Sequence, residues 1–596
     1  LGDRPAAAKV LADVLVADPA HAEARRNLER LVGAERVPLT LTLDEVAGAP
    51  ILDPDQSFEV LGEELFVQLR PDGSATRWTR RILRAQSVPE QRDAKTLRIR
   101  FDPTQESVRV LGAYVHRPVP GAIPTFDTRP VPDRLLQSIS EDWYGLYYDL
   151  RQLAVPFDHI QRGDVLEVTW RSDAVGQLFP GVVDLFEVLS DRVPKHLQRI
   201  IVDAPPGLSL TTRLSRPPGA RFAAEETAVP RPGGGIRHTF AARDLPALPA
   251  EGAAPGAAEV APVWQATTFR SWREVALWYR RLIEPQRVLS PAMKAFVATA
   301  TAGTPASPGG RTLTTRATPG EILTRLYDYV TREVRYVGLE FGIHGVKPYR
   351  SDLVWSRRFG DCKDKATLLS VLLAEAGLRG EVTLVRTRKQ GRLDGALPSL
   401  SLFDHAVVWL PTRDELVDPT ALHFGLGELP RDDQGAQILV LGRPEDPLDL
   451  AISKVDPPAR NGVVGTWIVT VDPRGRAGIQ GTVSFLGTQA PYYRALLLDP
   501  AAQAQRLAEL MNRRYPGLSL RDFRVSAPTD RSRPFDLVFH AEVPVLAQVD
   551  GRRLTIPRPT GLDGQVDRFA TEEARSLPIV MGPPMRFAVT YRYVLP

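Results

Sequence analysis

Three side chains in this sequence could together run nucleophilic chemistry: Cys362, His405 and Asp418. A thiol attacks a carbonyl carbon only as its thiolate, so it needs a neighbouring base. An imidazole serves as that base when a third group holds its ring and tautomer. Cys362 is the only cysteine in 596 residues, so an internal disulfide is excluded and cysteine count says nothing about redox compartment. The nine histidines are scattered, and with one sulfur no metal-ligand spacing appears; no metal or other cofactor is expected. Taken singly, a free cysteine is most often a small core hydrophobe. Its local context and the order of its partners reverse that reading. The charges beside it pull both ways: Lys363 and Lys365 favour the thiolate, Asp361 and Asp364 oppose it.

The elements that must position these groups can be read from the residues around them. In RRFGDCKDKATLLSVLLAEAG (Arg357 to Gly377), Asp361 is a good helix N-cap, and Asp364 adds negative charge to the first turn. Ala366, Leu369, Leu372, Leu373 and Ala376 recur at the spacing of one buried helical face, and Gly377 ends it. Cys362 is therefore expected as the first residue of a helix, beside unpaired backbone N–H groups. His405 opens Ala406-Val407-Val408-Trp409-Leu410, a buried strand; Leu416 and Val417 begin a second after the turn Thr412–Glu415. Residues at the open end of that hairpin lie side by side, and those are His405 and Asp418. Asp404 should face away from the imidazole.

The order Cys, His, Asp, with GDCKDKATLL on a helix and DHAVVWL…VDPT on strands, resembles the transglutaminase-like superfamily, which shares its triad logic with papain-like cysteine proteases. The run VRYVGLEFGIHGVKPYRSDLVWSRRFGDCKDKA is similar to a bacterial branch in which a β-rich domain of uncharacterised function precedes the core. The resemblance covers roughly residues 315 to 445, more weakly the regions on both sides. It implies Cys362 as nucleophile, His405 as base and Asp418 as orienting acid. It also implies a side-chain oxyanion donor from the segment before the helix, for which Tyr336 and Trp355 are the candidates. The Cys362 backbone N–H is the other donor. His344, in the Gly342–Gly345 loop, and His423 are weaker candidates. Lys347, Arg357 and Arg358 read as solvating charges more than as cleft residues.

The whole chain is too long for one core. Residues 1–34 read as a helical hairpin, with Ala6, Val10, Leu11, Val14 and Leu15 as one stripe, resembling the last unit of a tetratricopeptide array. From 37 to 245 the period is two: Glu64–Leu69 and Trp78–Leu83 flank Pro71-Asp72-Gly73-Ser74. Leu97–Phe101 and Val108–Leu111 flank Asp102-Pro103-Thr104, and further strands fall at Val165–Trp170 and Leu208–Thr212. This is a β-sandwich-like domain. Its aromatic run Asp142–Tyr148 reads as packing. Pro246–Val263 is a linker by composition. The stretch 264–450 is then the papain-like transglutaminase core, whose helices include Trp272–Leu282 and one opened by the capping box Thr318–Glu321. The stretch 451–596 is a C-terminal β-rich domain with a helix near Ala501–Arg513. The fold class is α+β multidomain.

Composition excludes other functions. Lys+Arg minus Asp+Glu is 75 − 71 = +4, with the signs intermixed, too little for a nucleic-acid footprint. No apolar run approaches the ~18–20 residues of a spanning helix. The first residues lack the pattern of a signal peptide. The chain starts at Leu1, which leaves room for an upstream signal, anchor or further repeats; the periplasm or cell envelope is the expected location over the cytoplasm. The expected activity is acyl transfer through a thioester on a peptide or glutamine-type amide, hydrolysis over cross-linking. The expected partners are a protein or peptide substrate and a protein docked on the N-terminal helices. The rival is a non-catalytic interaction scaffold on a transglutaminase-like fold.

Overall fold

The computed structural model describes residues 4–18, 21–32, 37–120, 125–141, 146–175, 181–302, 305–306, 313–314, 316–442, 450–557, 568–570 and 572–596. Helices Arg4–Ala17 and Ala22–Leu31 form the N-terminal hairpin. The first buries none of its residues, and Val10 of the expected stripe is exposed. Charge ties down the second: Arg26 pairs with Asp173 at 3.5 Å, and Glu29 accepts from the buried Arg171 at 2.6 Å.

The period-two region is β-rich, as expected. Eight strands form one sheet in the order Ala223–Pro230, Ile236–Leu245, Lys195–Ala204, Phe58–Leu69, Ala75–Ala85, Val165–Ala174, Glu106–Val119, Thr125–Pro130. Phe58–Leu69 and Lys195–Ala204 run parallel, and the other pairs are antiparallel. The strands on either side of Asp102 do not pair with each other. Thr96–Phe101 joins a second sheet with Leu146–Pro156, and the chain changes sheet at a corner where Asp102 accepts from the Thr104 N–H at 2.8 Å. The strand expected at 208–212 instead runs Thr211–Ser215 and pairs with Val263–Thr267. Of the aromatic run, Asp142–Gly145 lies outside the described residues. The Pro/Ala/Gly-rich stretch is not free chain: Ala258, Ala261 and Val263 are buried, and Glu259 accepts from the Arg392 N–H at 2.7 Å.

The central helices are Trp272–Ile283, Pro291–Thr301, Pro319–Glu333, Ser351–Arg357 and Cys362–Glu375. The Thr318–Glu321 capping box forms in both directions. Beside the helices lies an antiparallel sheet in the order Glu415–Val417, His405–Leu410, Glu381–Arg386, Gln437–Val440, Ala451–Ile452. The Cys362 helix buries more than one face: every residue from Lys363 to Leu373 is buried. Helices Pro319–Glu333 and Ser351–Arg357 and the His405 strand all pack on it, which is why a stripe at helical spacing understated its burial.

The last region is a five-stranded sheet in the order Ser519–Val525, Phe535–Val543, Ala477–Leu486, Gly462–Val471, Arg586–Val594, with helix Gln503–Asn512 as expected and a further helix at Ala490–Leu496. Both flanking regions grip the centre. Gly338–Leu339 adds in parallel to Leu146–Tyr147, and Asp184 accepts from the Leu400 and Ser401 N–H groups at 2.7 and 2.9 Å. From the other side, Arg494 donates to the His423 carbonyl at 2.9 Å and to Glu428 at 2.7 Å.

Candidate active site

The Cys362 helix starts where it does because both ends of its first turn are satisfied locally. Asp361 is the N-cap and accepts from the Asp364 N–H at 3.2 Å, while Asp364 accepts in return from the Asp361 N–H at 3.3 Å. Asp364 also receives the Tyr349 N–H at 2.7 Å and Arg357 at 2.9 Å. The chain then leaves the helix at Gly377, φ 77°, a conformation that costs glycine little. This leaves Cys362 half-buried at the first helical position, its thiol free.

The hairpin pairs Val408 with Val417, Trp409 with Leu416 and Leu410 with Glu415. Asp418 follows directly at its open end, and His405 Nε2 lies 3.4 Å from Asp418 Oδ2. Cys362 and His405 line the same cleft, and the Cys362 side chain is among the groups that raise the imidazole's pKa. With Nε2 turned to the carboxylate, Nδ1 is the nitrogen left for the sulfur. The structure thus brings the three expected residues together from three separate segments.

Electrostatics favour the protonated ring. Burial by itself would lower the His405 pKa, but the Asp418 carboxylate beside it, with a further contribution from Cys362, raises it well above its ordinary value. Asp418 shows the complement. Burial works against its charge, and His405 together with the Thr420 hydroxyl and N–H hold its pKa below the usual carboxylate range. Thr420 contacts it at 2.7 and 2.8 Å, and the hydroxyl of the fully buried Tyr327 donates to the Asp418 carbonyl at 3.1 Å.

Tyr336 and Trp355 are separated by the fold. Tyr336 pairs in parallel with Gly360, two residues from the thiol, and burial followed by the charges of Cys362 and Asp361 raises its phenol pKa. Trp355 is not brought to that end. Its indole stacks on Tyr329 at 4.4 Å and packs on Phe296 at 5.2 Å, with Arg358 over the ring, lining a different hollow. Aromatic packing is the physical reason for this correction: an amphipathic ring on Ser351–Arg357 finds a large apolar partner away from the sulfur. Arg357 lies over Tyr349, and His344 stacks on the same ring at 3.6 Å. His423 contributes its carbonyl to Arg494. Asp404 turns to Thr387, bonded at 2.6 and 2.8 Å.

Sequence reasoning named Lys363 as a charge beside the thiol but missed its burial and pairing, and it missed Glu340 and Asp433 altogether. Lys363 is buried, pairs with Asp361 and lies 3.7 Å from Glu340; burial opposes its charge, but Asp361, Cys362 and Glu340 raise its pKa. Asp433, only 2% exposed, has a carboxyl oxygen within 4.8 Å of both His405 and Asp418 ligand atoms, and burial pushes its pKa up to about 7. No spacing rule links it to the hairpin. The thiol opens into a cleft of about 640 Å³ whose walls include Tyr279, Glu340 and Phe403 from the centre, and Arg77, Glu106 and Ser172 from the β-rich region.

Comparison with known proteins adds the following. A family model described as a domain of unknown function with a solved structure (DUF3857) matches residues 71–249. A crystal structure of a protein from Parabacteroides distasonis ATCC 8503, provisionally named a protease, superposes with a TM-score of 0.54 at 15% identity, covering 82% of this chain and 93% of that one. The likeness is one of fold. A protein from Cytophaga hutchinsonii, provisionally named a cysteine protease, gives a TM-score of 0.17 at 13% identity over 40% of this chain and 75% of that one. No functionally curated protein matches. The chain is thus a multidomain protein with a β-rich N-terminal region, and among its described residues no helix is long and apolar enough to cross a membrane.

Proposed function

We propose that this chain is a transglutaminase-like cysteine hydrolase of peptide or amide bonds, with Cys362 as nucleophile, His405 as general acid–base and Asp418 as the orienting carboxylate. The observation that carries the reading is that Cys362 and His405 line one cleft while His405 Nε2 lies 3.4 Å from the buried Asp418 carboxylate. A scaffold would need none of the three arranged this way.

In this mechanism the Cys362 thiolate attacks the substrate carbonyl. The negative charge moves to the carbonyl oxygen, where the Cys362 backbone N–H and the Tyr336 hydroxyl are the proposed donors. The C–N bond breaks as His405 gives its proton to the leaving amine, which departs and leaves a thioester. Water then attacks the thioester, His405 takes its proton, and the acid is released with the thiol restored. A primary amine in place of that water would give a cross-link. The cleft is walled partly by the β-rich region, which suits an extended peptide lying between the two units.

The test is iodoacetamide labelling at pH 6 and 8, paired with peptide-library hydrolysis. Labelling at pH 6 faster than a free thiol of pKa ~8.5 allows, lost in His405→Ala, is expected. Hydrolysis abolished in a folded Cys362→Ala chain is expected with it. Slow labelling insensitive to His405→Ala would favour the scaffold.

A further inference from the structure

The imidazole of His405 has a second side. Away from the cysteine cleft it opens onto a shallow hollow of about 360 Å³, whose lining includes Asp418, Asp433, Asp432, Asp404 and Lys389. Among the described residues, His405, Asp418 and Asp433 are the one group whose potential ligand atoms all lie within 4.8 Å of one another. Asp433 is the unusual member. Its side chain is 2% exposed, and its buried Oδ2 has no hydrogen-bond partner. A buried carboxylate oxygen without a partner is costly. Its backbone, by contrast, is fixed: the N–H bonds to the Pro430 carbonyl at 3.2 Å, and the carbonyl accepts from Ser453 at 2.5 Å. The loop is built, and the carboxyl it presents is free to engage something.

We propose that this rear pocket is a regulatory site for a divalent transition cation of the zinc type, bound by His405 Nε2, Asp418 and Asp433. One imidazole nitrogen and two carboxylates suit zinc, with water from the hollow as fourth ligand. Calcium, which takes six to eight oxygens, is a poor match to a site offering nitrogen. Bonds of ~2.0–2.1 Å in a tetrahedron set ligand atoms about 3.3 Å apart, close to the 3.4 Å between Nε2 and Asp418 Oδ2. Asp433 must close in, and a carboxyl oxygen without a hydrogen bond loses none by moving.

The consequence for activity rests on the triad reading above; the binding itself does not. A metal on Nε2 displaces the proton shared with Asp418 and leaves the neutral ring one hydrogen, on Nδ1. That nitrogen then has no lone pair to take a proton from the thiol, and Asp418 is withdrawn from orienting the ring. The cation therefore switches the site off reversibly.

The full chain carrying Cys362→Ala, titrated with zinc chloride by calorimetry, should bind one equivalent. Asp433→Asn in that background should weaken binding by about 100-fold. On the wild-type chain, X-ray absorption at the zinc edge should show only nitrogen and oxygen ligands, and zinc should slow iodoacetamide labelling until a chelator is added. Absence of binding, a sulfur ligand, or unchanged affinity in Asp433→Asn would each overturn the proposal. The second would mean zinc sits between Cys362 and His405; the third, that Asp433 serves only to position the dyad. Hydrolysis surviving Cys362→Ala would overturn the triad and leave the binding result standing.

Discussion

At the scale of single residues, the proposed triad makes the His405–Asp418 pair the determinant of pH behaviour. The carboxylate favours the imidazolium, so the ring's pKa lies well above 6.5 in the folded chain. Asp418→Asn removes that support, and the pKa must fall. The alkaline limb of the kcat/KM profile should therefore move to lower pH, with activity down by roughly 10²–10⁴-fold through lost orientation of the ring. An unmoved limb would mean that another group titrates. The sign for stability follows the same logic. A base whose folded pKa is raised contributes its stability fully below the unfolded value, ~6.5, and loses it as pH rises through the folded value. Melting temperatures of wild type and Asp418→Asn, compared from pH 5 upward, should differ most below about pH 6.5 and converge at the alkaline end. The oxyanion assignment has its own test. Tyr336→Phe should cost about 10²-fold in kcat, while Trp355→Phe, a change inside the Tyr329–Phe296 stack, should leave kcat within about twofold. Equal losses would return Trp355 to the site.

At the scale of elements, the start of the Cys362 helix carries two separable energies. Asp361 caps the helix, a contribution of about 1 kcal/mol. It also pairs with Lys363, which is buried, and stranding one partner of a buried pair costs roughly 3–5 kcal/mol. The pair should dominate. Asp361→Ser keeps a capping oxygen yet should lose most of what Asp361→Ala loses in urea unfolding; a serine variant as stable as wild type would show that Glu340 alone satisfies the lysine. These elements also show what the sequence makes legible. The N-cap aspartate, the helical period and the apolar run after His405 are local signals, and helix, hairpin and dyad follow from them. Asp433 is invisible by comparison, because it reaches the imidazole by way of the strand Gln437–Val440 pairing with Glu381–Arg386. Sheet order is a long-range property that no local period encodes. Trp355 failed for a related reason: its distance along the chain from Cys362 suited a donor, but the aromatic neighbours that claim it come from two other helices. The 246–263 stretch has a linker's composition, yet its alanines are small enough to pack, and contacts decided it.

At the scale of the whole molecule, the β-rich regions frame the site from opposite sides. Asp184 of the N-terminal region fastens the loop just before His405, and Gly338–Leu339 extends a sheet of that same region, directly ahead of Glu340. The C-terminal region fastens the loop after Asp418. Arg531 donates to the Leu422 carbonyl at 2.9 Å, pairs with Asp328 and lies over the Tyr327 ring whose hydroxyl holds Asp418. Arg494, fully buried, joins His423 and Glu428 of that loop to the Arg533 carbonyl at 2.7 Å. The proposed base and its proposed orienting acid, held by different neighbours, can be misaligned without touching either. Arg494→Met keeps much of the buried volume but removes every bond from the clamp. If the clamp positions Asp418, kcat/KM should fall about 10- to 100-fold, the scale of an ångström's misplacement. The alkaline limb should then shift down as it does in Asp418→Asn. A clamp that only stabilises would lower the melting temperature and leave the pH profile of the folded chain's activity unmoved. The pH profile separates these outcomes where the melting temperature alone does not, because an arginine so buried is costly to remove in either case.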